Sequence, residues 1–146
     1  MERLKKRHEQ LLCLLNTLDE AILAMKELEL RGKSFNPKVD YEDEYRTYRD
    51  SVVQRFEYTI DLFWKYLKNY LEVAQVVTGL KIPSEVMREA FSLRLLSEEE
   101  TEKILEMIKS RNMTSHIYIE EIAERLALNI PEYYQLLQKL AERLKP

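Results

Sequence analysis

A chain of 146 residues, with 45% apolar and 34% charged residues, is long enough to bury a core as one domain over 1–146 without disulfides or a structural metal. Its net charge of −3 excludes a duplex-coating nucleic-acid binder, so any RNA contact must be local, and its single cysteine, Cys13, excludes a disulfide framework and a cysteine zinc cluster. No run approaches the ~18 apolar residues of a membrane span, and a lone thiol fits a reducing cytoplasm.

The basic start, Met1 to His8, runs into an amphipathic helix and lacks the pattern of a secretory signal. Leu4, Leu11, Leu18 and Met25 recur every seven residues, with Leu15, Ile22 and Leu28 beside them, which predicts a helix to about Leu30. Gly32 and Pro37 then supply its stop. Cys13 on this helix is expected to be a buried structural thiol, and His8 to edge the core or meet solvent. A second helix is predicted from Tyr41 to Glu72, with Tyr45, Val52, Phe56, Ile60, Phe63, Leu67 and Tyr70 at helical spacing. Phe56, Phe63 and Trp64 read as core or dimer-interface residues rather than a stacking platform.

Gly79 and Pro83 bracket a connection to a short helix from Glu85 to about Arg94. Ser97 and Glu100 have the spacing of a capping box, which predicts a fourth helix to about Lys109. A further helix through Ile119, Ile122, Ala123, Leu126 and Leu128 is followed by one that restarts at Pro131. The fold class is therefore all-α: an up-and-down antiparallel bundle of two long helices plus shorter C-terminal ones. The aromatic face of the second helix exceeds what one neighbour covers, which predicts a homodimer.

Arg111-Asn112-Met113-Thr114-Ser115-His116-Ile117-Tyr118 is the segment whose residue types suit chemistry. On an uninterrupted helix, residues five apart diverge by about 140°, so convergence of Arg111 and His116 needs a break. Thr114 and Ser115 are helix-starting types, and a new helix there would put both side chains at an anion-attracting N-terminus. His can move protons to and from a ribose hydroxyl or leaving oxygen without a metal, Arg can hold the phosphate, and Asn112 can orient either. The structural alternative is that Arg111 pairs with carboxylates, His116 caps a helix and Tyr118 fills an interface.

Arg111-x4-His116-x-Tyr118 resembles the signature of HEPN ribonucleases in the form with the extra tyrosine. The block from Tyr48 to Leu67 is similar to the second helix of the nucleotidyltransferase substrate-binding proteins, and Pro83 with Arg88-Glu89-Ala90-Phe91 fits the same family. The resemblance implies a helical homodimer whose paired motifs line a shared cleft. It also implies a two-gene toxin–antitoxin pair with a separate minimal nucleotidyltransferase. In that view Arg111 and His116 are catalytic on RNA, Asn112 is supporting, and Tyr118 receives AMP from the partner, which silences the toxin. No cofactor or metal is implied. The alternative is a non-catalytic subunit that binds a substrate or nucleotide for the transferase. This chain has no Gly-Ser followed by paired Asp, so it is not expected to transfer nucleotides itself.

Overall fold

The computed structural model describes residues 1–32, 41–116 and 119–146, and for Ser115 and His116 the backbone alone. Five helices form, α1 (Glu2–Arg31), α2 (Tyr41–Ala74), α3 (Pro83–Ser92), α4 (Glu98–His116) and α5 (Glu120–Arg143), with no strand among the described residues. The fold is all-α. The seven-residue stripe of α1 is buried along its whole length, as are Val52, Phe56, Ile60, Phe63 and Leu67 on α2. Each such side chain stabilises the fold by about 1.5–3 kcal/mol, several times any difference in helix propensity, so the stripe decides the packing.

Cross-helix bonds fix the directions. Arg7 reaches the Lys65 carbonyl, Arg55 the Thr17 carbonyl and Arg31 the Glu44 carboxylate, so α1 and α2 run antiparallel. Lys103 meets Glu132 and Arg143 meets Glu100, so α4 and α5 are antiparallel as well. Tyr45 bonds Glu124 and Tyr66 bonds the Leu144 carbonyl, which sets α5 parallel to α2 and closes the bundle. His8 edges the core: its Nε2 lies 2.9 Å from the Ala141 carbonyl and its ring tilts against Tyr66.

Gly32 ends α1 at φ 70° with its N–H on the Leu28 carbonyl, in a left-handed conformation that glycine adopts without strain; Pro37 lies outside the described residues. With so few glycines, other residues also take a positive φ. Arg94, at φ 61°, closes α3 through bonds from its own N–H to Phe91 and from Leu95 to Ala90, the paired pattern of a left-handed helix stop.

Five expectations change. The third helix begins at Pro83 rather than Glu85, since proline is at home in a first turn. The fourth runs to His116 rather than Lys109. The last two are one helix: Pro131 cannot donate a bond toward Ala127, but buried Ala123, Leu126, Ala127, Ile130, Tyr133, Leu137, Leu140 and Ala141 make one stripe across it, and that burial outweighs the lost bond. Leu128, placed on that stripe by the sequence, points outward. Finally, Cys13 is exposed, because Leu11 and Leu15 occupy the core track on either side of it.

The capping box forms as its spacing predicts: the Ser97 hydroxyl accepts from the Glu100 N–H at 3.1 Å and Glu100 accepts from the Ser97 N–H at 2.9 Å. Glu100 also takes a two-pronged grip from Arg143 at 2.7 and 2.9 Å, tying the start of α4 to the end of α5. The Arg143 hydrogen bond, with the Ser97 N–H adding to it, holds the Glu100 carboxyl down at about 2. A carboxyl depressed in the folded state stabilises the fold above its unfolded value and loses that contribution as pH falls through the folded one. Glu100→Gln is therefore expected to lower stability at pH 7 by about 1–2 kcal/mol, a figure reduced for the solvent around Arg143. Urea unfolding should show this difference shrinking from about pH 4.5 downward and vanishing near pH 2.

Candidate functional site

Arg111 lies in the penultimate turn of α4, on the side facing α2. Its Nη1 donates to Glu57 at 2.7 Å, its Nη2 to Asp61 at 3.1 Å, and its Nε reaches both Asp61 oxygens at 3.3 Å. Glu57 and Asp61 are four residues apart on α2, so they share one face and close on the guanidinium together. The guanidinium is fixed along its edge by Asp61 and at its tip by Glu57, with a quarter of the side chain still open to solvent. Burial pushes the Glu57 carboxyl up, Arg111 pulls it down less strongly, and Asp61 adds to the upward push. Hydrogen bonding to Asp61 further secures the Arg111 charge.

The expected break between Arg111 and His116 does not occur. Helix α4 is continuous through both, and Thr114, instead of starting a new helix, turns its hydroxyl back onto the Arg111 carbonyl at 3.0 Å. By helical register the two positions are about 140° apart, so the segment is a helix end and not an anion-attracting helix start. The His116 side chain and all of Tyr118 lie outside the described residues. Asn112 is exposed and, one position round from Arg111, lines a cavity of about 570 Å³ with the apolar Leu105, Ile108, Met113, Ile119 and Ile122 between α4 and α5. Arg111 and Asn112 thus serve different faces of the helix.

A second charged cluster flanks the motif on its other side. Arg49, only 2% exposed, donates to Asp50 from Nε and Nη2 at 3.2 Å, and from Nη1 to Glu120 at 3.4 Å and Glu124 at 3.3 Å. Arg46 also holds Glu120, at 2.8 Å, and keeps its carboxyl below the usual range. The Tyr45 hydroxyl donates to Glu124, and burial with that carboxylate beside it raises the phenol well above its ordinary value. These contacts anchor the first turns of α5, immediately after the motif, onto α2. Local sequence pattern gives no role to Glu57, Asp61 or the Arg49 partners. The available signal is the four-residue spacing of Glu57 and Asp61 within the mostly apolar and aromatic run from Phe56 to Trp64.

The fold defines an all-α bundle, with five helices among the described residues. The chain belongs to the family described as nucleotidyltransferase substrate binding protein like, whose model matches residues 14–146. Among solved structures, a protein from Thermus thermophilus is 32% identical, with 88% of this chain and 99% of that one covered at a TM-score of 0.65. The tri-AMPylated Shewanella oneidensis HEPN toxin in complex with MNT antitoxin has the same fold at 14% identity, covering 92% of this chain and 96% of that one, TM-score 0.65. So does a tyrosine-to-alanine mutant of the toxin–antitoxin pair MntA-HpeT, at 13% identity, 92% and 97% coverage and TM-score 0.62. A search of curated proteins gives no significant match. Among the described residues no helix is long and apolar enough to cross a membrane.

Proposed function

We propose that this chain, one domain over 1–146 acting in the cytoplasm as a homodimer, is the metal-independent endoribonuclease toxin of a two-gene pair. Its partner is a minimal nucleotidyltransferase that silences it by transferring AMP to Tyr118. The observation that carries the reading is the Arg111 guanidinium, fixed by Glu57 and Asp61 yet still partly open, five residues before His116 on one helix. A preorganised planar cation suits a phosphate that gains charge in the transition state. The ribose 2′-oxygen attacks the adjacent phosphorus, its proton passes to a base, the bond to the 5′-oxygen breaks, and that oxygen takes up a proton. His116 supplies one of the two proton transfers. Because register separates Arg111 from His116 within one chain, a second copy completes the site across the dimer, with Asn112 supporting. Family membership and the AMPylated toxin–antitoxin complex of the same fold support the pairing and the modification.

One observation favours a second reading, a non-catalytic substrate- or nucleotide-binding subunit of a two-component nucleotidyltransferase. Arg111 already carries two carboxylates, which leave its surroundings net negative and oppose a phosphate. RNA incubated with purified protein in EDTA separates the two. Cleavage by the wild type and its loss in folded His116→Ala are expected, whereas undiminished cutting by that variant would overturn the ribonuclease reading. Absence of cutting by the wild type, with nucleotide bound, would establish the second. Mass spectrometry after co-expression with the transferase is expected to find AMP on the Tyr118 peptide.

A further inference from the structure

The basic start of α1 meets the C-terminal half of α2, where Arg7 donates from Nη1 to the Lys65 carbonyl at 3.3 Å. Arg3, Arg7, Lys65 and Lys68 line a cavity of about 350 Å³ there, and among the described residues that line it Glu72 is the only carboxylate. None of the four cations forms an ion pair among the described residues, so the cavity carries a net of three positive charges in a chain whose total is −3. Its wall includes Trp64, the chain's only tryptophan, which its helical spacing assigns to core or dimer interface but which is only half-buried against the core and lines the cavity. The wall also includes Asn69, 7% exposed, whose Oδ1 is buried without a hydrogen-bond partner. Buried polar atoms are almost always paired, so this acceptor is an unfilled demand for a donor in the cavity wall, which a turn of the Asn69 side chain would bring to a ligand.

We propose that this cavity binds a nucleotide unit of single-stranded RNA, with the base against Trp64, its amine or a ribose hydroxyl donating to Asn69 Oδ1, and phosphate held by Arg3, Arg7, Lys65 and Lys68. An indole face accepts any base, and clustered Lys and Arg beside it track a phosphate chain. The volume lies at the small end of ligand sites, enough for one nucleotide rather than a folded partner. The register of α2 favours a strand over a free nucleotide. Asp61, Lys65 and Lys68 fall within about 60° of one another around the axis, and Lys68 is roughly 10 Å along from Asp61. One flank of α2 therefore leads from the Arg111 site to this cavity. The inference goes beyond cleavage and does not require it.

The single tryptophan makes the test direct. Full-length His116→Ala protein, which leaves RNA uncut if the ribonuclease reading holds, is titrated with single-stranded oligoadenylate, with AMP and with inorganic phosphate while Trp64 fluorescence is followed. A quench by oligoadenylate is expected that is at least tenfold weaker in Lys65→Glu/Lys68→Glu and falls steeply with salt. Asn69→Leu is expected to weaken binding about fivefold while raising Tm by roughly 3 °C, because it removes an unpaired buried oxygen. Such opposite effects on binding and stability separate a ligand contact from a structural one. AMP binding as tightly as oligoadenylate would assign the site to a free nucleotide instead of RNA. No change in Trp64 fluorescence with any nucleotide, an equal effect of inorganic phosphate, or full binding by the Lys65/Lys68 variant would overturn the proposal. Should the glutamates unfold the protein, Lys65→Gln/Lys68→Gln is read in their place. Loss of RNA cutting by the wild type with this binding intact would refute the ribonuclease reading alone.

Discussion

Arg111→Lys is expected to lower RNA cleavage by about 100-fold or more although the charge is kept. Lysine has one nitrogen where Arg111 uses three: Nε and Nη2 lie on Asp61 and Nη1 on Glu57. An ammonium gathers its donors on a single rotatable atom, so the cation loses the plane and direction that the two α2 residues impose. Initial rates in EDTA measure the effect, and circular dichroism confirms that the helices remain. Cleavage within a few-fold of wild type would show that only charge matters at this position. Arg111→Ala adds a stability signature. Glu57 is already held above the ordinary carboxylate value by burial, with Arg111 the opposing influence. A carboxyl raised in the folded state costs stability as pH rises through its unfolded value, and without Arg111 that cost grows. The variant's deficit in urea unfolding is thus expected to be small near pH 4 and larger at pH 7. A deficit independent of pH would mean that removing Arg111 leaves the shift of the Glu57 carboxyl unchanged.

How far the sequence reads depends on the range of the forces involved. The stripes of α1 and α2, the Ser97 to Glu100 cap and the Gly32 stop are set by neighbours three or four residues away, and all appear in the structure where their spacing places them. The errors arise where tertiary burial overrides a local preference. Pro131 is a helix breaker by chemistry, yet a continuous buried stripe carries α5 through it. Thr114 prefers a helix start, but its hydroxyl is equally content on a carbonyl behind it, so α4 continues. At the candidate site, the motif residues were legible as residue types and their geometry was not. The carboxylates on Arg111 come from positions 50 and 54 residues earlier, and local periodicity does not report such distances. The Arg49 cluster hid for the same reason. An arginine among the polar positions of an amphipathic helix reads as solvated until the start of α5 is seen covering it.

That arginine has the largest stability effect among the polar residues. Arg49→Ala is expected to destabilise the protein by about 3 kcal/mol, a fall in Tm of roughly 10 °C. Three contributions add in the same direction. The substitution empties the volume of an almost fully buried side chain, leaves Asp50, Glu120 and Glu124 without the cation they share, and releases the first turns of α5 from α2. The last of these carries function. Residues 119–124 follow directly on the motif, and Arg49 with Tyr45 and Arg46 holds them to α2. Because the three carboxylates are about half exposed they regain water when Arg49 is lost, so the penalty stays below the upper range for a fully buried pair. Arg49→Met separates the contributions: methionine refills much of the volume but cannot bridge the carboxylates. If volume dominates, Met recovers most of the lost Tm. If the bridge dominates, it recovers little, and hydrogen exchange in the first turns of α5 speeds up more than in α1. A Met variant with both wild-type Tm and wild-type exchange at α5 would sink the anchoring role.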